Sequence, residues 1–202
     1  MKIALIIEGQ TERVFVPHLR RFLETRLSGR MPRLDPVLYD GPIPKRQRLR
    51  RTVERLLQTG LPPADAVIAL TDVYTGTRDF QDAEDERKKN AGVGGRNPRF
   101  FPHAAQFEFE AWLLPFWTTI QRLAGRKMAA PGGAPETVNL TKPPSVRIAE
   151  IFRAGTCRDD YVKPRDADRI LRENDLGVAA AACPELRALL NTILDLCGGQ
   201  RV

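Results

Sequence analysis

The stretch Lys2-Ile3-Ala4-Leu5-Ile6-Ile7 shows no alternation of polar and apolar residues and stops abruptly at Glu8-Gly9. A strand with one wet face alternates. A strand covered on both faces reads as a continuous apolar run, and such strands belong to parallel sheets flanked by helices. Ala66-Val67-Ile68-Ala69-Leu70-Thr71 repeats the pattern and stops at Asp72. His103 to Phe107 is a third, shorter core strand that runs into Glu108 and Glu110. Leu34 to Tyr39 is a weaker strand, and Pro36 within it predicts an edge position. Helical periodicity fills the gaps. Thr11-Glu12 opens a helix with Phe15, Leu19, Phe22 and Leu23 on one face, in which Pro17 is expected to produce a kink or a shortened first turn. Gln47 to Gln58 places Leu49, Val53, Leu56 and Leu57 on another helix face. Strands alternating with helices predict an α/β fold, with a mainly parallel sheet and right-handed crossovers.

The second half changes character. Glu108 to Gln121 reads as a helix with Trp112, Leu113 and Phe116 turned inward, and Ala129 to Pro135 as a Pro/Gly/Ala linker. From Lys142 the chain is helical, ending in an Ala/Leu-rich helix from Pro184 to Cys197. The expected organisation is an α/β core over residues 1–124 and a helical C-terminal extension over 125–202, packed on the core as one compact unit. The polar stretch Gly76 to Arg99 is expected to be a mobile lid, containing a solvent-facing helix from Asp82 to Asn90 and a flexible tip at Gly92 to Gly95.

Several function classes are excluded early. No apolar run approaches the roughly 20 residues that cross a bilayer. The N-terminal run ends at Glu8 without a cleavage site, so no signal peptide and a cytoplasmic location are expected. Cys157, Cys183 and Cys197 are widely spaced, and His18 and His103 are the only histidines. That spacing makes no zinc site and predicts reduced, mostly buried thiols. No GxxxxGK(S/T) follows the first strand, so this is not a P-loop. With 42% apolar residues the chain has a real core, and its net charge of +7 suits polyanionic partners.

In a parallel sheet the carboxyl ends of the strands share one edge, and functional residues gather beyond it. That rule brings Glu8, Asp72, Glu108 and Glu110 together. Crowded carboxylates repel, and a bound cation relieves the repulsion; hard oxygen donors select Mg²⁺ or Mn²⁺. The competing reading is that acids after strands cap helices, since carboxylates favour helix N-termini. Gly9 and Thr11, at the strand-to-helix turn, lie where a backbone can approach a phosphate.

Read together, the motifs resemble a known family. Ile6-Ile7-Glu8-Gly9-Gln10-Thr11-Glu12 resembles the opening EGxTE of Toprim-like proteins, and in particular domain-of-unknown-function family 4276, itself similar to the nuclease half of overcoming-lysogenisation-defect (OLD) enzymes. Leu70 to Tyr74 resembles its D-x-Y strand end. Phe107 to Leu114 resembles its H-E-F-E-A segment. Lys142-Pro143-Pro144-Ser145, Tyr161-Val162-Lys163 and Cys183-Pro184-Glu185-Leu186 resemble its K-P-P-S, Y-x-K and C-P-x-(F/L) pieces. The resemblance implies a Toprim-like, Rossmann-like fold and an Mg²⁺-dependent nuclease of phage-defence type acting beside an ATPase partner. On it, Glu8 would be a general acid/base or metal ligand and Asp72 a metal ligand. Two departures stand out: Tyr74 replaces the second Asp of D-x-D, and Phe107 stands where the family often has His. Asp79 or Asp82 would be the substitute ligand, against a reading of both as solvated charge.

Lys142 and Lys163 either start helices or reach phosphates as point charges. Lys45, Arg46, Arg48, Arg50 and Arg51 form a basic helix face, a candidate nucleic-acid contact or a solvated surface. Two functions compete: a phosphodiesterase acting on DNA or RNA, and a catalytically weak Toprim-like subunit that docks on an ATPase. Small phosphoester chemistry is a third, and a homo-oligomer stays open.

Overall fold

The computed structural model describes residues 1–73, 82–93, 97–137, 142–157 and 160–202. Tyr74, Asp79 and the Gly94-Gly95 part of the expected tip lie outside them, as do residues 76–81 and 94–96 of the expected lid.

Among the described residues one sheet has the order β2-β1-β3-β4, with β1 at Lys2–Ile7, β2 at Arg33–Leu38, β3 at Ala66–Val73 and β4 at Phe100–Gln106. Every pairing is parallel, so the mainly parallel α/β sheet expected from the apolar runs is borne out, in the Toprim-like class that the motif resemblance implied. Pro36 lies in edge strand β2, opposite Leu5, as its missing amide requires.

Alternate residues of each central strand feed different cores, because side chains alternate faces with period two. Ile3, Leu5, Ile7, Ile68 and Leu70 join the larger cluster, and Ala4, Ile6, Val67 and Ala69 the smaller. The larger face is covered by α1 (Gln10–Glu24), a 3-10 helix (Phe109–Phe116) and the C-terminal helices; the smaller receives Leu49, Val53 and Leu57 of α2 (Arg46–Gln58). Phe15, Phe109 and Trp112 meet edge to face or tilted, with centroids 5.4–6.0 Å apart, which fixes the 3-10 helix against α1.

Helix α1 runs through Pro17 with its first turn intact; Pro17 is exposed, so water can serve the carbonyl that its ring leaves without an amide. Several other local expectations are corrected. The expected helix from Glu108 to Gln121 divides into the 3-10 helix and α4 (Trp117–Ala124). Helix α3 (Ala83–Val93) is not wholly solvent-facing: Glu86 is fully buried and Asn90 nearly so. Cys157 is exposed rather than buried. The remaining helices are α5 (Pro144–Arg153), α6 (Lys163–Arg172), α7 (Leu176–Ala182) and α8 (Pro184–Leu196). No helix among the described residues is long and apolar enough to cross a membrane.

Candidate active site

The order β2-β1-β3-β4 places a topological switch point between β1 and β3, since α1 leads the chain to one side of β1 and α2 leads it to the other. Ligands bind beyond the carboxyl ends of strands at such a point. Glu8 follows β1 and Asp72 is the penultimate residue of β3. A cleft of roughly 320 Å³ opens there, lined by Glu8, Glu12, Asp40, Asp72, Glu110 and Lys163 among others.

Each acid is held differently. Glu8 Oε1 accepts hydrogen bonds from Thr71 Oγ1 and, at 3.5 Å, from the Ile43 amide. Burial raises its pKa against those bonds. Asp72 Oδ1 accepts from the Phe109 amide at 3.0 Å. Its pKa stands well above the usual carboxylate range, first through burial, then through Glu12, Glu110 and Glu8. Glu110, 1% exposed, is pushed up to about 7 by burial, with Lys163 opposing. It accepts from Lys163 Nζ at 3.4 Å and Tyr161 Oη at 3.5 Å.

Lys163 begins α6 and is the one cation lining the cleft among the described residues. Burial lowers its pKa, but Glu110, Glu108 and Asp72 outweigh it, so the net shift is upward. The Tyr161-Val162-Lys163 turn is clamped by Asp166, whose Oδ2 accepts from the Val162 amide at 2.8 Å.

Not every expected residue enters the cleft. Glu108 is buried and does not line the cleft: its Oε2 accepts from the Ser145 amide at 2.9 Å, capping the N-terminus of α5, and its Oε1 lies 3.7 Å from Lys163 Nζ. Lys142 turns away to Glu150, 2.7 Å from Oε1 and 2.8 Å from Oε2. Gly9 and Thr11 do line the cleft. Glu12 stands beside them in the first turn of α1, and burial raises its pKa. Gly9 has an extended φ of −143°. It needs no left-handed freedom, but a Cβ there would stand 3.0 Å from Glu12 Oε2. Lys45 precedes α2, and Arg46, Arg48, Arg50 and Arg51 lie on it, all exposed.

Glu12 and Asp40 were not singled out by sequence reasoning. Asp40 follows β2 and obeys the same strand-end rule; a weak strand hid it. The chain enters the 3-10 helix through Phe107, a buried residue with a left-handed φ of 71°, a conformation rare for a bulky side chain.

The donor set fits a hard divalent cation chemically: carboxylates dominate the lining, with Lys163 as the one cation among the described residues. It is not a formed coordination shell. Among the described residues no three His, Cys, Asp or Glu side chains already stand together as a metal site.

The family model described as Domain of unknown function (DUF4276) matches residues 7–194. The C-terminal region of the Burkholderia pseudomallei OLD protein superposes with a TM-score of 0.53 at 15% identity, over 96% of this chain and 98% of that one. The corresponding region of the Xanthomonas campestris pv. campestris OLD protein gives 0.49 at 17% identity, over 97% and 93%. No curated protein matches.

Proposed function

The chain belongs to the DUF4276 family, and from that premise we propose that it is a Mg²⁺- or Mn²⁺-dependent phosphodiesterase acting on nucleic acid. The observation that carries this reading is the gathering of Glu8, Glu12, Asp72 and Glu110 around Lys163 at the carboxyl edge of the sheet. A cation bound there would supply an activated water and neutralise charge on a phosphate. Asp72, with Glu8, Glu12 and Glu110 beside it, would hold the ion. Glu8, facing the cleft from β1, is suited to accept a proton from the attacking water; Lys163 is suited to hold a phosphate oxygen. The likeness to OLD C-terminal regions and the motif resemblance to OLD-type nucleases support the reading. An ATPase partner and a phage-defence setting extend it.

A second reading has its own support. Glu108 is engaged on α5 and on Lys163, and no metal-holding trio is preformed among the described residues. This is what a catalytically weak docking subunit would show. Mn²⁺ calorimetry and nuclease assays on the wild type, Asp72→Asn and Glu8→Gln separate the two. The phosphodiesterase reading expects Mn²⁺ binding and cleavage in the wild type. It expects weakened binding in Asp72→Asn, and a rate loss of about 10²-fold or more with binding largely kept in Glu8→Gln. Metal-independent heats and no cleavage by the wild type would overturn it in favour of docking.

A further inference from the structure

Beside the acidic cleft lies a second concavity of about 540 Å³, between the exit of β2 and the outer face of α2. It is lined by Arg48, Arg51 and Arg55, with Tyr39, Thr52 and Pro42. Pro42 also lines the acidic cleft, so the two adjoin. Resting on the phosphodiesterase reading, we propose that this groove is a binding site for the phosphodiester backbone of a nucleic acid strand, and leads that strand into the cleft.

The arginines recur at i, i+3 and i+7, which places them on one helix face. All are exposed, and among the described residues none makes an ion pair or side-chain hydrogen bond. Arg50 differs: it pairs with Glu54 at 2.8 Å. Arg51 and Arg55 are four apart on the helix, where like charges destabilise. A face that only needed solvation would gain by interleaving acids, as Arg50 and Glu54 do. Unrelieved repulsion in a concave site is relieved by an anion instead, and guanidinium forks suit phosphate oxygens.

The rest of the groove fits the same ligand. Leu49, Val53 and Leu57 are buried, so α2 is fixed to the sheet and its arginines project from a rigid base. Tyr39 Oη and Thr52 Oγ1 stand 3.5 Å apart, a long contact that leaves both hydroxyls able to donate to phosphate oxygens. The acidic cleft alone would repel a polyanion. A basic groove on its rim supplies the affinity that the acids cannot. Arg55, Tyr39 and Thr52 thereby join Arg48 and Arg51, while Arg50 does not.

The test is fluorescence anisotropy with labelled single-stranded DNA, duplex DNA and single-stranded RNA across a KCl series. It compares the wild type, the triple variant R48Q/R51Q/R55Q, and a control, R30Q/R126Q/R153Q, that removes the same charge elsewhere. The expected result is a loss of about 10-fold or more in affinity for the groove variant, with a salt slope smaller by about 2–3. The control should lose much less. The arms show whether DNA or RNA is preferred. Equal affinity and slope in the groove variant and the control would overturn the site, as would a wild type that binds none of the probes. Mn²⁺-dependent hydrolysis of bis-p-nitrophenyl phosphate by the wild type reports on the cleft without the groove. Its presence alongside a failed binding test would sink the groove alone; its absence would sink the catalytic reading.

Discussion

Asp72 joins two demands at one carboxyl group. Its Oδ1 receives the Phe109 amide, which ties β3 to the 3-10 helix, while Glu12, Glu110 and Glu8 crowd its charge. Asparagine keeps the acceptor and removes the charge. Asp72→Asn should therefore be as stable as the wild type without metal, or more stable by about 1 kcal/mol above neutral pH. Asp72→Ala leaves the Phe109 amide without its acceptor and should be about 1–3 kcal/mol less stable than Asp72→Asn. Thermal melts with and without Mn²⁺ check both. A metal-induced shift as large in Asp72→Asn as in the wild type would remove Asp72 from the proposed site. Position in sequence revealed Glu8 and Asp72 because each ends an unmistakable apolar strand. It could not reveal Glu12, which reads as an ordinary first-turn acid yet lines the cleft. Nor could it tell Glu110 from Glu108, two residues apart, one lining the cleft and one shared between α5 and Lys163.

Helix α3 illustrates what charge patterning conceals. Its residues are charged nearly all round, so no apolar stripe marks an inner face, yet Glu86 is fully buried with Asn90 donating to it. Burial raises its pKa from 4.5 to about 8. The folded state then holds a proton that the unfolded chain releases, so this stability is fully present below about pH 4.5 and is lost as pH rises toward 8. His103 on β4 works in the opposite sense. Burial, with Arg87 adding, lowers it from 6.5 to about 4, so its contribution is present above about pH 6.5 and lost as pH falls through 4. Glu86→Gln keeps a neutral group that Asn90 can still reach. Denaturant melts should show it equal to the wild type near pH 5 and about 1–3 kcal/mol more stable near pH 8. Parallel pH profiles for the two proteins would refute a buried, neutral Glu86. The start of α6 gives a matching prediction. Lys163 stands at a helix N-terminus, where the dipole disfavours a cation, and Glu110 at 3.4 Å and Glu108 at 3.7 Å are its counterweights. Lys163→Gln should cost about 1–3 kcal/mol above neutral pH, where Glu110 is ionised, and less near pH 5, where Glu110 is neutral. An equal loss at both pH values would show that packing, not charge, is its contribution.

At the scale of the molecule, the sheet was legible because doubly buried strands have a composition that no surface element shares. The C-terminal half was legible as helices but not as a destination, since helical periodicity names a buried face and not its partner. The structure supplies the partner. Ile3, Leu5 and Ile7 of β1 share one buried cluster with Ile148, Phe152, Ile170, Leu186, Leu190 and Ile193. Glu136, from the stretch between α4 and α5, accepts from Trp112 Nε1 at 2.9 Å and from the Glu185 amide at 3.0 Å. We therefore propose that residues 1–124 and 125–202 are one folding unit. Burying those six C-terminal side chains contributes roughly 9–18 kcal/mol at about 1.5–3 kcal/mol each, against a typical net stability of about 5–15 kcal/mol. A fragment ending at residue 137 should therefore lack a cooperative thermal transition, and the whole chain should unfold in one. Calorimetry of the whole chain and circular dichroism of the fragment test this. A fragment that melts cooperatively, or two separated transitions in the whole chain, would mean that the cleft can form without α6, and that Lys163 is brought to it by docking rather than by folding.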